Sequence, residues 1–368
     1  MQMKKILILA NCASGLYDFR NELLLRLLTV YEVHVGLPDE EEVPEIAGEG
    51  CVVHHTSLER RGMNPMKDGR LFAAYLKLMR EIRPDVVLTY TIKPNIYGSL
   101  CCRMLRIPYI VNITGLGSVF EEGGLLQKMV VFLYRIALKR ASCVFFQNAR
   151  NRQIFSEFGI KGKKDRLVPG SGVNLSRHSF EEYPDEEAPV KFLFVGRIMK
   201  EKGTDELLYA AEELKKEYPD VLFEIVGSYE EDYRELIERK QQEGIVHLTG
   251  YQKEMHPFYR EASAVVVPSY HEGMSNVVLE AAATGRPVLA SDIPGCREGL
   301  EDGASGLAFT PRDGEAFLQA LRKFMALSYK ERRQMGRNAR NKMEREFDRK
   351  KVVDAYEEEI KHCTDRRK

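Results

Sequence analysis

Short apolar runs alternate with stretches of helical periodicity along the whole chain. The runs are four to six residues long and lack the alternation of polar and apolar positions that marks a half-exposed strand. Such runs are typical of parallel strands buried on both faces, and their alternation with helices predicts doubly wound α/β units. The ten predicted strands are residues 5–10, 31–36, 86–89, 109–113, 143–147, 192–196, 221–226, 245–249, 264–268 and 287–290.

The length of the chain predicts two domains. At 368 residues the chain exceeds the size at which a single hydrophobic core usually stops growing. The polar stretch 174–189, which contains two prolines and an acidic cluster, separates the first five predicted strands from the last five. We therefore place the domain boundary there and expect a ligand cleft between the domains, at the carboxyl ends of their strands.

Composition and charge narrow the class of protein. The net charge is zero, but residues 1–172 contain 24 Lys and Arg against 17 Asp and Glu, a balance of +7. This asymmetry predicts an anionic partner, either a phospholipid surface or a phosphate-bearing substrate, and is too mild for nucleic acid. Seven cysteines without a Cys-x2-Cys pair indicate a reducing compartment, no disulfide and no metal framework. Because no apolar run reaches the ~20 residues that a membrane helix needs, we expect a cytoplasmic protein.

One predicted helix has a basic line along its surface. In residues 125–140, Lys128, Arg135 and Lys139 fall almost on one line of the helix, and apolar residues occupy most of the rest. Together with the positive first half, this pattern favours peripheral docking on the inner face of an anionic membrane. A core helix with one solvated basic edge is the alternative.

Two cations follow the sixth predicted strand. Arg197 and Lys202 come shortly after Gly196, and a second glycine follows Lys202. Glycines allow the backbone to come close to a ligand, and two cations at a strand end supply the compensation that a diphosphate needs once it leaves water. The string therefore predicts a diphosphate site.

A second string, residues 272–280, follows the ninth predicted strand and enters a helix. Ser275 and Asn276 are both good N-caps, so the amides and dipole of the helix would attract the same anion. If Asn276 is the cap, Glu280 lies one turn into the helix and can accept hydrogen bonds from both hydroxyls of a ribose. Glu272 remains in the loop and can reach a sugar beyond the phosphates. A single glutamate is more often a surface carboxylate, but the combination predicts a pocket for a nucleotide diphosphate-sugar.

In these strings the chain resembles the retaining nucleotide-sugar glycosyltransferases of family 4. The Glu-x7-Glu element of the family is Glu272 to Glu280 here, and its phosphate-binding Arg and Lys match Arg197 and Lys202. Further matching stretches are residues 15–19, 93–98, 114–117, 172–174, 291–295 and 303–306. The resemblance implies the α/β GT-B fold, in which two facing Rossmann-like doubly wound domains enclose an interdomain cleft. It also implies an acceptor-binding domain at residues 1–173, a donor-binding domain at 190–346, and a last helix at 347–364 that packs back on the first domain.

The resemblance also implies roles for individual residues. Catalysis would depend on Glu272, Arg197 and Lys202. Donor binding would involve a larger set, namely Gly15, Gly196, Gly273, Met274, Ser275, Asn276 and Glu280. Lys93, Asn112 and Thr114 would position the acceptor or the sugar. Many family members have a histidine where this chain has Thr114, and a threonine can position substrate without taking a proton. Hydrogen bonds from Asn112 and Thr114 to the local backbone are the alternative.

The implied activity is transfer of an N-acetylhexosamine or hexose from a UDP-sugar to an undecaprenyl-diphosphate-linked glycan, with retention, in the assembly of capsule, O-antigen or glycoprotein glycans. No Asp-x-Asp string is present, so neither a metal nor a cofactor is expected, and the two cations and the helix end would stabilise the leaving phosphate. Two alternatives stay open: a GT-B-shaped UDP-sugar epimerase, and a non-catalytic nucleotide-sugar-binding subunit. A nicotinamide oxidoreductase is disfavoured because no Gly-x-Gly-x-x-Gly string follows the first strand.

Overall fold

The computed structural model of the chain describes residues 3–38, 43–56, 64–116, 120 and 123–365. The chain divides into two compact units. Unit 1 consists of Met1–Ser171 together with Lys350–Lys368, and unit 2 consists of Gly172–Arg349.

Unit 1 is built on a seven-stranded parallel sheet. Its strands are β1 (Lys5–Leu9), β2 (Glu32–Leu37), β3 (Val52–His55), β4 (Val86–Tyr90), β5 (Tyr109–Ile113), β6 (Cys143–Phe146) and β7 (Asp165–Leu167). They lie in the order β3-β2-β1-β4-β5-β6-β7, and every neighbouring pair is parallel. Because the strand order reverses between β1 and β4, the topological switch point lies at their carboxyl ends, where α/β sheets usually bind ligands.

Helices cover both faces of this sheet. They are α1 (Ala13–Leu28), α2 (Val43–Gly48), α3 (Pro65–Ile82), α4 (Ser99–Leu105), α5 (Gly124–Leu138), α6 (Ala149–Glu157) and the last helix of the chain, α13 (Arg349–Asp365), with a π-helix at Pro94–Gly98 before α4. One core cluster joins the sheet to α1 and α13, and a second joins it to α3, α4, α5 and α6. Tyr356 of α13 packs against Phe145 of β6 with ring centroids 4.3 Å apart, so the last helix is part of the core of unit 1.

Unit 2 repeats the architecture with six parallel strands. These are β8 (Lys191–Val195), β9 (Leu222–Val226), β10 (His247–Gly250), β11 (Ala264–Val267), β12 (Val288–Ser291) and β13 (Gly306–Phe309), in the order β10-β9-β8-β11-β12-β13. The helices are α7 (Thr204–Glu217), α8 (Arg234–Gln242), α9 (His256–Glu261), α10 (Asn276–Ala283), α11 (Gly314–Ala326) and α12 (Tyr329–Lys342). The switch point here lies between the carboxyl ends of β8 and β11.

The fold class predicted from the sequence is confirmed. All ten predicted strands are present with ends within two residues of the prediction. The three strands that the pattern missed, β3, β7 and β13, all lie at the edge of a sheet. β3 and β7 contain polar residues and are partly exposed, so they lack the apolar signal by which the others were found, whereas β13 is apolar and largely buried.

The polar stretch 174–189 is anchored to unit 2. Arg286, which is completely buried, donates from one terminal nitrogen to the carbonyls of Glu181 at 2.7 Å and Glu182 at 2.6 Å. Burial lowers the pKa of Arg286 to about 10. Arg340 donates to the carbonyl of His178 at 2.9 Å. These bonds join the polar stretch to unit 2, which begins at Gly172.

The last helix begins later than its apolar stripe indicates. The stripe begins at Phe347, but this residue ends a π-helix, Met343–Phe347, and is buried in a core cluster of unit 2 with Val173. The amide of Val173 donates to the carbonyl of Phe347 at 2.8 Å, so Phe347 belongs to unit 2 and helix α13 begins at Arg349.

Candidate active site

The loop after β8 passes very close to the end of β11 at the switch point of unit 2. Gly203 has φ = +74°, and a Cβ atom on it would lie 2.1 Å from the carbonyl oxygen of Pro268. Only glycine fits this conformation and this approach. The amide of Tyr270 also donates to the carbonyl of Glu201 at 2.9 Å, so the loops after β8 and β11 are held together.

Lys202 and Glu272 form an ion pair where these loops meet. The Nζ atom of Lys202 lies 2.6 Å from Oε1 of Glu272, and the two side chains are 23% and 15% exposed. An ammonium group has three N–H donors, and Glu272 takes one of them. The pair therefore leaves a cation at the switch point that can bind a further acceptor.

The loop after β12 supports the position of Glu272. Gly295 has φ = +90°, and a Cβ atom on it would lie 2.6 Å from the carbonyl oxygen of Glu272. The amide of Ser275 donates to the carbonyl of Gly295 at 2.8 Å. Cys296 is completely buried next to this contact, and burial, with a smaller contribution from the Glu272 carboxylate, raises the pKa of its thiol.

Helix α10 begins at the same edge and is capped by Ser275. The Ser275 hydroxyl accepts from the amide of Val278 at 3.4 Å, so Asn276 is the first helical residue and not the cap. Glu280 accordingly lies in the second turn. The buried hydroxyl of Tyr259 donates to Oε2 of Glu280 at 2.9 Å, and burial, followed by the Glu280 charge, raises the pKa of Tyr259. No sequence pattern marks Tyr259, because it reaches Glu280 only through the packing of α9.

Arg197 lies after β8 but has a partner of its own. Its guanidinium group is 3.5 Å from Glu230, and its side chain is 51% exposed. Surface pairs of this kind contribute little to stability, so Arg197 can exchange Glu230 for another anion at small cost. The structure thus pairs Lys202 with Glu272 and pairs Arg197 with Glu230.

The other predicted donor-binding residues of unit 2 surround this edge. The amide of Gly196 donates to the carbonyl of Val226 at 3.0 Å, which continues the pairing of β8 and β9 by one residue. Gly273 is half-buried in the loop, and Met274 is buried beneath it against the core of unit 2.

The predicted residues of unit 1 lie at the carboxyl edge of its own sheet. Gly15 is in the first turn of α1, where an added Cβ would meet the Cys12 thiol at 2.8 Å. Lys93, after β4, pairs with Asp68 at 3.0 Å, and the two side chains are 12% and 6% exposed. The lysine charge is therefore already compensated inside unit 1.

Asn112 and Thr114 follow β5 and differ in environment. Asn112 is buried, its side-chain nitrogen donates to the carbonyl of Thr89 at 2.9 Å, and its carbonyl accepts from Asn95 at 2.8 Å. Hydrogen bonds of this kind are expected if Asn112 bonds the neighbouring backbone and does not position substrate, which is the alternative interpretation given above. Thr114 is half-buried, and Gly117, which belongs to one of the matching stretches, lies outside the described residues.

Two negative findings apply to the part of the chain that the structure describes. It contains no group of three or more His, Cys, Asp or Glu side chains that could hold a metal ion. None of its helices is long and apolar enough to cross a membrane.

Two parallel-sheet α/β units, one with cations and a capped helix at its switch point, are the architecture of the GT-B glycosyltransferases. The family models agree: residues 5–148 match "Glycosyl transferase 4-like" and residues 176–342 match "Glycosyl transferases group 1". The chain belongs to the family 4 glycosyltransferases, as its resemblance indicated, and is an enzyme of that class.

Two relatives support this assignment, and a solved structure shares the fold. The chain is 26% identical to N,N'-diacetylbacillosaminyl-diphospho-undecaprenol alpha-1,3-N-acetylgalactosaminyltransferase of Campylobacter jejuni, over 82% of this chain and 84% of the relative. It is 26% identical to UDP-Gal:alpha-D-GlcNAc-diphosphoundecaprenol alpha-1,3-galactosyltransferase of Escherichia coli, over 80% and 79%. The crystal structure of Anabaena HepE in complex with UDP-glucose superposes with a TM-score of 0.80 at 18% identity, covering 97% of this chain and 99% of HepE.

Proposed function

We propose that the protein transfers a sugar, an N-acetylhexosamine or a hexose, from a UDP-sugar to an undecaprenyl-diphosphate-linked glycan with retention at the anomeric carbon. The names of the Campylobacter and Escherichia relatives support the lipid-linked acceptor, and the HepE complex supports a UDP-sugar donor. The observation that carries the proposal is the Lys202–Glu272 pair beside the N-terminus of α10.

Unit 2 would bind the donor along this edge. The amides at the start of α10 and the ammonium group of Lys202 would bind the diphosphate, and Arg197 would join them on leaving Glu230. Glu280, oriented by Tyr259, would accept hydrogen bonds from the ribose hydroxyls. Glu272 would hold the transferred sugar while keeping Lys202 in place.

These groups would act on the leaving phosphate. As the bond between the anomeric carbon and the β-phosphate oxygen breaks, negative charge grows on that oxygen, and Lys202 and Arg197 stabilise it more strongly than in the ground state. The acceptor hydroxyl forms the new bond on the same face of the sugar. Its proton passes to the departing phosphate, so no separate base is required.

Unit 1 would bind the acceptor and the membrane. Its helix α5 exposes four large apolar side chains on one face: Leu125, Leu126, Met129 and Phe132. Lys128 and Lys139 are exposed beside this face, whereas Arg135 is exposed but donates to the carbonyl of Phe158 at 2.7 Å. An exposed apolar face flanked by cations complements the interface of an anionic bilayer. We infer a peripheral position on the inner face of the cell membrane.

The donor assignment is tested by thermal stabilisation with a panel of UDP-, GDP- and ADP-sugars. One UDP-sugar should raise the melting temperature through mass action, and Lys202→Met and Glu280→Ala should lose this shift. Lys200→Met, which removes an exposed lysine two residues away, should keep it. If no UDP-sugar stabilises the protein, or if both site variants keep the shift, the donor site is wrong.

The acceptor assignment is tested by incubating the stabilising donor with an undecaprenyl-diphosphate-linked glycan and with the same glycan free in solution. Product on the lipid-linked glycan, with the configuration of the donor retained, is the expected result. Product on the free glycan alone would contradict the lipid-linked acceptor. Epimerised UDP-sugar in a donor-only incubation would indicate the epimerase, and donor binding without any product would indicate the binding subunit.

Membrane docking is tested by co-sedimentation with vesicles. Wild-type protein should bind vesicles that contain anionic phospholipid, and Phe132→Ser should weaken binding about tenfold because it removes a large apolar side chain from the interface. Tyr251→Ser, which removes an exposed aromatic side chain from unit 2, is the matched control and should bind normally. Equal binding of all three proteins would exclude α5 as the docking surface.

A further inference from the structure

A buried arginine of unit 1 has no carboxylate partner. Arg20 of α1 is 5% exposed, and within the described ranges of the chain no Asp or Glu lies within ion-pair distance of it. Its Nε atom is buried without a hydrogen bond. Burying a guanidinium group without a counter-charge destabilises the folded state. We therefore expect Arg20 to have a role that an apolar side chain could not fill.

The partners of Arg20 are neutral and come from several segments of unit 1, among them the Tyr356 side chain of α13. One terminal nitrogen donates to the carbonyl of Phe19 at 2.8 Å, and the guanidinium carbon lies 5.5 Å from the ring centroid of Tyr90, the last residue of β4. When the amide of Gln147, directly after β6, is oriented with its oxygen towards Arg20, the other terminal nitrogen donates to that oxygen at 2.8 Å. A rigid planar fork can make these contacts at once, which an ammonium group cannot do.

Gln147 connects Arg20 to Thr114. The side chain of Gln147 is buried, and its nitrogen donates to the backbone carbonyl of Thr114 at 3.1 Å. Because Arg20 offers only donors, Gln147 must turn its oxygen towards Arg20 and therefore its NH₂ group towards Thr114. Arg20 thus determines that the NH₂ group of Gln147, and not its oxygen, contacts the loop after β5.

We propose that Arg20 and Gln147 are positioning residues that hold the Thr114 segment in the conformation that receives the acceptor. The inference rests on the proposed transfer to a lipid-linked acceptor and extends it to two residues that no sequence motif marks. Thr114 would touch the substrate, and Arg20 and Gln147 act through its backbone. Donor binding, which depends on unit 2, should not require them.

The substitution Gln147→Glu separates positioning from folding. A glutamate keeps an acceptor for Arg20 and adds a counter-charge, so the fold should hold, but it presents an oxygen to the Thr114 carbonyl and repels it. Hydrogen exchange of peptides within residues 109–116 should rise at least tenfold. KM for the lipid-linked acceptor should rise about tenfold, and the melting-temperature shift given by the UDP-sugar should stay unchanged. Gln153→Glu, on the exposed face of α6, is the matched control and should change none of these.

Arg20→Lys is the second variant and should show a smaller change in the same two readouts, because lysine keeps the charge but not the fork. Unchanged hydrogen exchange of residues 109–116 in Gln147→Glu overturns the proposal, whether or not the enzyme is active. Raised exchange with normal acceptor kinetics also overturns it. A wild-type protein that uses no lipid-linked acceptor would refute the proposed function instead, and loss of the donor shift in Gln147→Glu would show a role in folding only.

Discussion

Each unit has a lysine–carboxylate pair at its switch point, and the two pairs differ in burial. Lys202 and Glu272 both stand in loops after strands, at 2.6 Å, with 23% and 15% of their side chains exposed. Lys93 and Asp68 are 3.0 Å apart with only 12% and 6% exposed, and Asp68 lies in the first turn of α3. In the better solvated pair, Lys202 can also bind a ligand. In the buried pair, each charge is compensated by the other. We therefore expect the Lys202–Glu272 pair to serve binding and the Lys93–Asp68 pair to serve folding.

The largest expected effect comes from removing each lysine in turn. Lys202→Met should lower kcat/KM about 10²- to 10³-fold, because a donor to the leaving phosphate is lost, and should lower the free energy of unfolding by only about 1–2 kcal/mol. Lys93→Met leaves the buried Asp68 carboxylate without a counter-charge, so it should lower the free energy of unfolding by about 3–5 kcal/mol. Urea unfolding and initial transfer rates measure both quantities, with Lys200→Met as the control. If Lys93→Met unfolds like the wild type, the contrast between the pairs is false.

A smaller effect is expected from changing the shape of the donor site without changing its charge. Gly295→Ala places a Cβ atom against the carbonyl of Glu272, whereas Gly303, with φ = +77°, has no atom within 4 Å of an added Cβ. Both substitutions share the strain of a positive φ, about 1 kcal/mol. Only Gly295→Ala should also weaken UDP-sugar binding, by about tenfold, because it displaces the Glu272 loop. Titration of the melting temperature with donor tests this, and equal donor affinities would show that the loop adapts.

The sequence predicts these two regions unequally, for a physical reason. The proposed donor edge depends on short strings, so Lys202, Glu272 and Ser275 could be predicted from their spacing after strands. The acceptor edge depends on contacts between distant segments. Arg20 lies in an ordinary helical pattern, and nothing in its neighbourhood indicates that it meets Gln147, 127 positions later.

In the fold, too, some elements could be predicted from the sequence and others could not. Central strands are largely buried on both faces and mostly apolar, so all of them were predicted. The edge strand β7 (Asp165–Leu167) contains an aspartate and an arginine among its three residues and gives no such signal. The anchoring of 174–189 was also missed, because its main partner, the buried Arg286, is about 100 positions away along the chain.

The smallest expected effect concerns protonation of a histidine pair at the edge of the sheet of unit 1, in which His34 is buried and His54 is half-buried. Nδ1 of His34 lies 2.9 Å from Nε2 of His54, and Nε2 of His34 lies 2.8 Å from Glu32, which also pairs with Lys5. Burial lowers the pKa of both histidines, more than Glu32 raises that of His34. The folded state therefore prefers the neutral rings, and the two nitrogens cannot both carry a proton.

Acid should accordingly loosen β2 and β3 first. Because the pKa values are lower in the folded state, the unfolded chain takes up protons first as the pH falls below about 6.5, and the free energy of unfolding decreases. Hydrogen exchange of β2 and β3 should rise between pH 7.5 and 5.5 and return when the pH is restored. His54→Gln keeps a donor to His34 and removes one titrating ring, so it should reduce this rise, whereas His247→Gln, on the exposed surface of β10, should not. A rise of the same size in all three proteins would assign the acid response of unit 1 to groups other than this pair.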